Sequence, residues 1–199
     1  RGMVHRNKVR TAQGWTWLSI PIVKKGPQGT PAIRDLKINP DQGWRDVHKK
    51  TISTHYRKTP FFVSSEYFID ELYDKRWEYL LPLCNKSIRF LMKGFGVETP
   101  IRYSSELRPT CSKNELILEL CQKVGASEYI SGPFGRSYLN LESFYRAGIQ
   151  VWFHDYRHPE YRQHFPGFEY YMSALDIWFN YGPEGREILQ NSSDTLLRA

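Results

Sequence analysis

LILELCQKVGASEYISGPFGRSYLNLESFYRAGIQVWF, residues 116–153, decides how the fold is read. Ile117, Leu120, Cys121 and Val124 fall at helical spacing, and Ser112 with Glu115 ahead of them makes a capping-box pattern. Gly125 closes that helix. EYISG (128–132) is a strand running into a glycine loop. Asn140 is placed to cap a short helix that Gly148 closes, and IQVWF (149–153) is the next strand. Strands joined through a helix over so short a stretch predict parallel pairing with a right-handed crossover.

The same alternation extends in both directions. WTWLSIPIV (15–23) is nearly continuously apolar, as a strand buried on both faces would be. KKGPQGTP (24–31) reads as a mobile loop, and 33–38 as a short edge strand. A helix is expected over 44–58, with Trp44, Val47, His48, Thr51, Ile52 and His55 at helical spacing and Pro60 ending it. A second covers 66–77. A third starts near Pro82, carries Leu83, Cys84, Ser87, Ile88, Leu91 and Phe95 as its stripe, and stops at Gly94 and Gly96. A strand is expected over 99–104, and helices over 173–180 and 184–190. The sum is an α/β chain: a Rossmann-like three-layer sandwich with a mainly parallel sheet, its strands near 16–22, 100–104, 128–131 and 149–153. Ligands in such sheets lie at the carboxyl ends of the strands. That points to the loops after Ile22, Tyr103, Ile130 and Phe153.

The chain has 199 residues, of which 40% are hydrophobic and 15% aromatic, enough for one core and against a disordered chain. No apolar run is long enough for membrane insertion, and no signal peptide is visible. Cys84, Cys111 and Cys121 show no paired spacing, which fits a reduced, cytoplasmic setting. Cys84 and Cys121 fall on apolar stripes and read as core thiols. The charge of +7, from 28 basic and 21 acidic residues, favours an anionic partner.

Several constellations carry candidate chemistry. In His5-Arg6-Asn7-Lys8-Val9-Arg10, Arg6 and Asn7 pair a planar cation with an amide, suited to phosphate or carboxylate. The alternative is a solvated basic segment. The loop Ser131-Gly132-Pro133-Phe134-Gly135-Arg136-Ser137-Tyr138 offers main-chain N–H groups, hydroxyls and an Arg to an anion, or else is a tight structural turn. It lacks both the Walker A ending and the dinucleotide glycine spacing. His48, four residues after Trp44 on the inward face of its helix, is a hydrogen-bonded core residue or a catalytic one. His154, His158, His164 and Asp155 have no spacing of a common zinc site, so no metal is expected. Asp176 and Asn180, four apart among Leu175, Ile177, Trp178 and Phe179, should share one hydrogen-bond network, either purely structural or supporting a site. Cys111 precedes a helix N-terminus, but no His is near it in sequence.

With these segments placed, the chain resembles the WbqC-like family of bacterial proteins from about Arg1 to about Leu189. The matching pieces are Arg6-Asn7-Lys8-Val9 before WTWLSIPI; Trp44, Arg45, His48, Ile52 and Tyr56; Ser104-Ser105-Glu106-Leu107; the stretch 116–139; Tyr156, His158, Pro159, Tyr161 and Gln163; and Ser173 to Asp176 with Ile177, Phe179, Asn180, Gly182 and Pro183. The family begins with a strand, a loop of the type Gln-Pro-x-x-x-Pro-x-x-Gly-Tyr-Phe and a second strand ending in an acidic pair, and nothing of that kind precedes Arg1. The expectation is one domain over 1–199, truncated at its N-terminus relative to the family.

The resemblance implies a transferase of surface-polysaccharide (O-antigen) biosynthesis, with glycyl or other aminoacyl transfer to an amino sugar as the suggested reaction. His48 and Asp176 would then be catalytic. Arg6, Asn7, Ser131, Gly132, Gly135, Tyr138, His158 and Asn180 would bind the substrate, an anionic small molecule such as a nucleotide sugar or another phosphorylated donor. No cofactor is assigned. Two other classes remain open: a nucleotide- or RNA-binding module, drawn from Tyr156-Arg157 and Tyr161-Arg162, and a nucleotidyltransferase or hydrolase on the same frame.

Overall fold

The basic segment ahead of WTWLS is itself a strand. In the computed structural model, which describes residues 4–23, 31–40, 43–191 and 195–199, β1 (Arg6–Thr11) and β2 (Gly14–Ser19) form an antiparallel hairpin. Gly14, at φ 121°, closes the turn after Ala12-Gln13 in a conformation that few other residues adopt. Register pairs Arg6 with Ser19, Lys8 with Trp17 and Arg10 with Trp15. These six share one face, and Val9 and Leu18 point the other way into the core.

The chain divides into two units, Arg1–Glu98 with Glu160–Gln190 and Thr99–Pro159 with Asn191–Ala199. Among the described residues, the first unit holds the hairpin and five α-helices: α1 (Trp44–Tyr56), α2 (Phe62–Asp74), α3 (Leu80–Gly94), and, after the second unit's segment, α7 (Ala174–Tyr181) and α8 (Gly185–Gln190). Trp44, His48, Ile52 and Tyr56, each four apart, are the buried stripe of α1. Trp44, Ile52 and Tyr56 join Phe62, Phe68, Ile69, Leu72, Leu80 and Phe179 in one core. Burying each large side chain there is worth about 1.5–3 kcal/mol. The Trp178 indole donates to Ser65 Oγ at 2.8 Å, tying α7 to α2. A Cβ on Gly94 would lie 2.5 Å from the Trp178 ring, so this glycine serves close packing. Gly96, at φ 63°, supplies the turn beyond α3.

The second unit is built on α4 (Ser104–Leu107), α5 (Lys113–Lys123), β3 (Glu128–Ser131), α6 (Leu141–Arg146), β4 (Gln150–Asp155) and β5 (Thr195–Arg198). β3 pairs parallel to β4 across α6, and β5 pairs antiparallel to β4. Cys121, Phe144, Ile149, Val151 and Phe153 are its core. Asn140 caps α6 by accepting from the Ser143 N–H. Ser112 makes no side-chain cap on α5, contrary to the capping-box expectation. Glu119 instead accepts the N–H groups of Thr110 and Cys111 from within the helix. The Cys111 and Thr110 N–H groups hold its carboxyl down to about 2.

The expected Rossmann-like, mainly parallel sheet is corrected by this arrangement. Among the described residues there are a two-stranded and a three-stranded sheet, and most pairings are antiparallel. Only 128–131 and 149–153 pair as expected. The stretch 15–23 is not buried on both faces, because two of its large apolar residues, Trp15 and Trp17, lie outside the core. They lie on the hairpin face opposite the core, beside Arg6 and Lys8. The 99–104 stretch forms no strand: Pro100 brings no N–H to a ladder. Residues 33–38 form a 3-10 turn at Ile33–Asp35 and two isolated bridges, Ile22 with Ile38 and Lys37 with Tyr79. Positions 24–30 of the expected loop 24–31 lie outside the described residues.

Candidate functional site

Asp176 opens the first turn of α7 and has 0% exposure. Its two carboxylate oxygens accept the hydroxyls of Tyr56, at 2.7 Å, and Tyr161, at 2.8 Å. The Tyr56 oxygen in turn accepts the main-chain N–H of Arg10 at 2.8 Å. The Arg10 guanidinium, also buried, donates to the carbonyls of Thr11, Gly14 and Pro166 and to Gln163 Oε1. Gln163 exchanges two hydrogen bonds with the main chain of Glu169. Asn180 donates to the main-chain carbonyl of Asp176 at 2.7 Å, a bond to the helix backbone and not to the carboxylate. Burial pushes the Asp176 carboxyl up, against the Tyr56, Tyr161 and Gln163 hydrogen bonds and the Arg10 charge. The same burial, reinforced by Asp176, pushes the Tyr56 phenol up. A carboxylate whose oxygens are both engaged and shielded from water is suited to holding neighbours in place.

A second cluster lies where α1 meets the hairpin. His48 is 4% exposed and packs edge-on against Trp44 and Tyr73, ring centroids 5.2 and 5.7 Å away. Burial lowers its pKa to about 4, opposed by a hydrogen bond with the Ser19 main chain. The imidazole is therefore neutral near pH 7. Ser19 is the ladder partner of Arg6, which places Arg6 and His48 on the same stretch of β2. The Nε atoms of Arg6 and Trp44 are buried with no partner among the described residues. Asn7 is exposed, and its Oδ1 accepts the Lys8 N–H.

The remaining expected residues belong to the second unit. The glycine loop forms a 3-10 turn, Pro133–Ser137, at the end of β3. Ser131 is buried and donates to the Gly132 carbonyl, and Ser137 donates to that of Phe134. A Cβ on Gly135 would lie 2.0 Å from Ser131 Oγ, so Gly135 is required by packing. Gly132 faces open space, and Tyr138 is exposed. His158 lies 2.8 Å, through Nδ1, from the Pro159 carbonyl. An open cavity of about 470 Å³ in this unit is lined by Leu141, Glu142, Tyr145, Gln150 and Arg198 among others, and by none of the expected residues.

Within the first unit, then, Arg6 pairs with Ser19 on the ladder and His48 meets the Ser19 main chain, while Asp176 sits in the Tyr56–Arg10 network and Asn180 bonds its carbonyl. Sequence reasoning assigned no role to Arg10, Lys8, Trp15 or Trp17, met Tyr56 and Gln163 only as parts of a family pattern, and met Tyr161 there and in the RNA-binding alternative. A signal existed for the hairpin: Arg6, Lys8 and Arg10 alternate with period two and are followed by Ala-Gln-Gly. Nothing local marks Tyr161 and Gln163, whose partners are distant in sequence. Among the described residues, no His, Cys, Asp and Glu side chains group as a metal site requires, and no helix is long and apolar enough to cross a membrane.

Mixed α/β units with small sheets, and a basic, aromatic hairpin against a buried carboxylate–tyrosine network, define the class of protein. The chain belongs to the WbqC-like protein family, which matches residues 1–188. It is similar to the uncharacterized protein Rv1507c of Mycobacterium tuberculosis, with 29% identity over 188 residues, covering 94% of this chain and 80% of that protein. No solved structure matches the chain.

Proposed function

We propose that the chain is a group transferase of bacterial surface-polysaccharide biosynthesis that moves a glycyl or other aminoacyl group from a carrier to the amine of a sugar. The amine nitrogen attacks the acyl carbon, the bond from that carbon to the carrier breaks, and the carrier leaves with the electron pair. The nitrogen sheds a proton, and His48 is its acceptor. The observation that supports this assignment is the placement of His48, which meets the main chain of Ser19, the ladder partner of Arg6. A neutral imidazole has a lone pair available for a proton. Asp176 acts at one remove: it holds Tyr56, and through it the N–H of Arg10 on β1. Arg6 binds the anionic part of the substrate, Asn7 on the opposite face of β1 remains a further candidate, and Asn180 supports α7. Ser131, Gly132, Gly135, Tyr138 and His158 remain substrate-binding candidates of the second unit. Three free thiols suit the reducing cytoplasm as the place of action.

The test is a transfer assay with an amino-sugar nucleotide and aminoacyl donors, read by mass spectrometry of the sugar. The expected product carries the aminoacyl group on nitrogen, and His48→Gln lowers kcat about 100-fold or more while leaving KM nearly unchanged. Release of pyrophosphate or phosphate without acyl transfer would establish a nucleotidyltransferase or hydrolase instead.

A further inference from the structure

The hairpin face opposite the core carries a ladder of cations and indoles. The Arg6 guanidinium carbon lies 4.4 Å from the Trp17 ring centroid, and Lys8 Nζ lies 4.3 Å from that of Trp15 and 5.8 Å from Trp17. Trp15 and Trp17 meet edge to face, at 5.7 Å and 83°. Cross-strand contacts of this kind stabilise a hairpin. They do not account for the rest of the arrangement. Trp15 is still 41% exposed. Neither Arg6 nor Lys8 forms an ion pair with a carboxylate among the described residues. Arg6 Nε is buried and undonated. A partly desolvated cation held against an indole lowers its free energy further by meeting an anion.

We propose that this face is a binding site for a nucleoside diphosphate, with the Trp15 indole against the base and Arg6 and Lys8 on the phosphates. The charge selects phosphate, and the exposed indole selects a flat ring attached to it. The edge-to-face angle decides between one nucleotide and a strand. Two bases in succession need two open, roughly parallel platforms, whereas an 83° corner offers one face and one edge. The choice of a nucleotide over another ringed anion rests on the transferase reading above, and binding is measured here without turnover. Transfer activity with no nucleotide bound at the hairpin would leave that reading standing and overturn this one; nucleotide binding with no transfer would do the reverse.

The experiment is calorimetric titration of the full chain with UDP and with ADP, against uridine, inorganic pyrophosphate and an eight-residue oligouridylate. A diphosphate should bind at least ten-fold more tightly than either pyrophosphate or uridine. Trp15→Ala should remove most of that advantage, and Trp15→Phe should keep most of it. Lys8→Gln should weaken the diphosphate and pyrophosphate alike. Circular dichroism checks folding, and Lys8→Gln with Trp15→Phe carries the test if Trp15→Ala does not fold. Equal affinity for diphosphate and pyrophosphate, indifference to both Trp15 variants, or oligouridylate binding ten-fold tighter than the diphosphates would overturn the proposal.

Discussion

Asp176 and His48 are both buried, yet their protons act on stability in opposite directions. The His48 pKa falls from 6.5 in the unfolded chain to about 4 in the folded one. Between these values the unfolded chain binds the proton more tightly, so the contribution is full above about pH 6.5 and is lost as pH falls through 4. The Asp176 pKa is raised from 3.8. Its contribution is full below that value and is lost as pH rises through the raised one. His48→Gln should therefore flatten the fall in stability between pH 6.5 and 4, measured by urea midpoints across that range. An unchanged slope would show that His48 is not buried neutral. Asp176→Ala leaves the Tyr56 and Tyr161 hydroxyls without their acceptor, at a cost of about 1–3 kcal/mol for each donor left unsatisfied. A urea midpoint equal to wild type would contradict the network. The three cysteines differ too. Cys111 is exposed, Cys121 is buried and Cys84 is half-buried, donating weakly to the Val4 carbonyl, and burial pushes the Cys84 and Cys121 thiols up. Iodoacetamide on the native protein should label Cys111 first, as read by peptide mass spectrometry, and faster labelling of Cys121 would contradict its burial.

At the scale of elements, most helices were legible, while the strands expected at 15–23, 33–38 and 99–104 were misread. The four-residue stripe of α1 and the caps around α6 come from local periodicity, which a sequence displays directly. The hairpin was hidden because cations cover its indoles, so aromatic residues on an open face resembled a buried run. The carboxylate–tyrosine network was half legible: Asp176 and Asn180 are neighbours on one helix, but Tyr56, Tyr161 and Arg10 reach them across long stretches of chain. Arg10 pins the hairpin to the 163–169 segment through four acceptors fitted to a planar fork. Lysine has no such fork. Arg10→Lys should lower stability by about 1–3 kcal/mol and speed hydrogen exchange at Thr11 and Gly14. Exchange at those amides unchanged from wild type would show that Arg10 is not what holds the turn.

Over the whole molecule, the local αβ grammar of 116–153 was read correctly and its extension to the entire chain was not. One parallel pair around α6 does not make a doubly wound sheet when the other apolar run folds back on a basic strand. Family membership accounts for residues 1–188 and leaves the chemistry to the site. The charge of +7 favours anionic ligands at long range, and it predicts that diphosphate affinity falls as salt rises from 50 to 200 mM. The claim on which the functional account turns is that the hairpin face meets the phosphorylated substrate. The chain has six tryptophans, each with an indole N–H resonance. In a two-dimensional nitrogen–proton spectrum recorded during titration with a nucleotide sugar, the Trp15 and Trp17 signals should move in a saturable way while that of Trp178, bonded to Ser65, stays in place. Saturable movement confined to Trp152 of the second unit, with Trp15 and Trp17 unmoved, would contradict it.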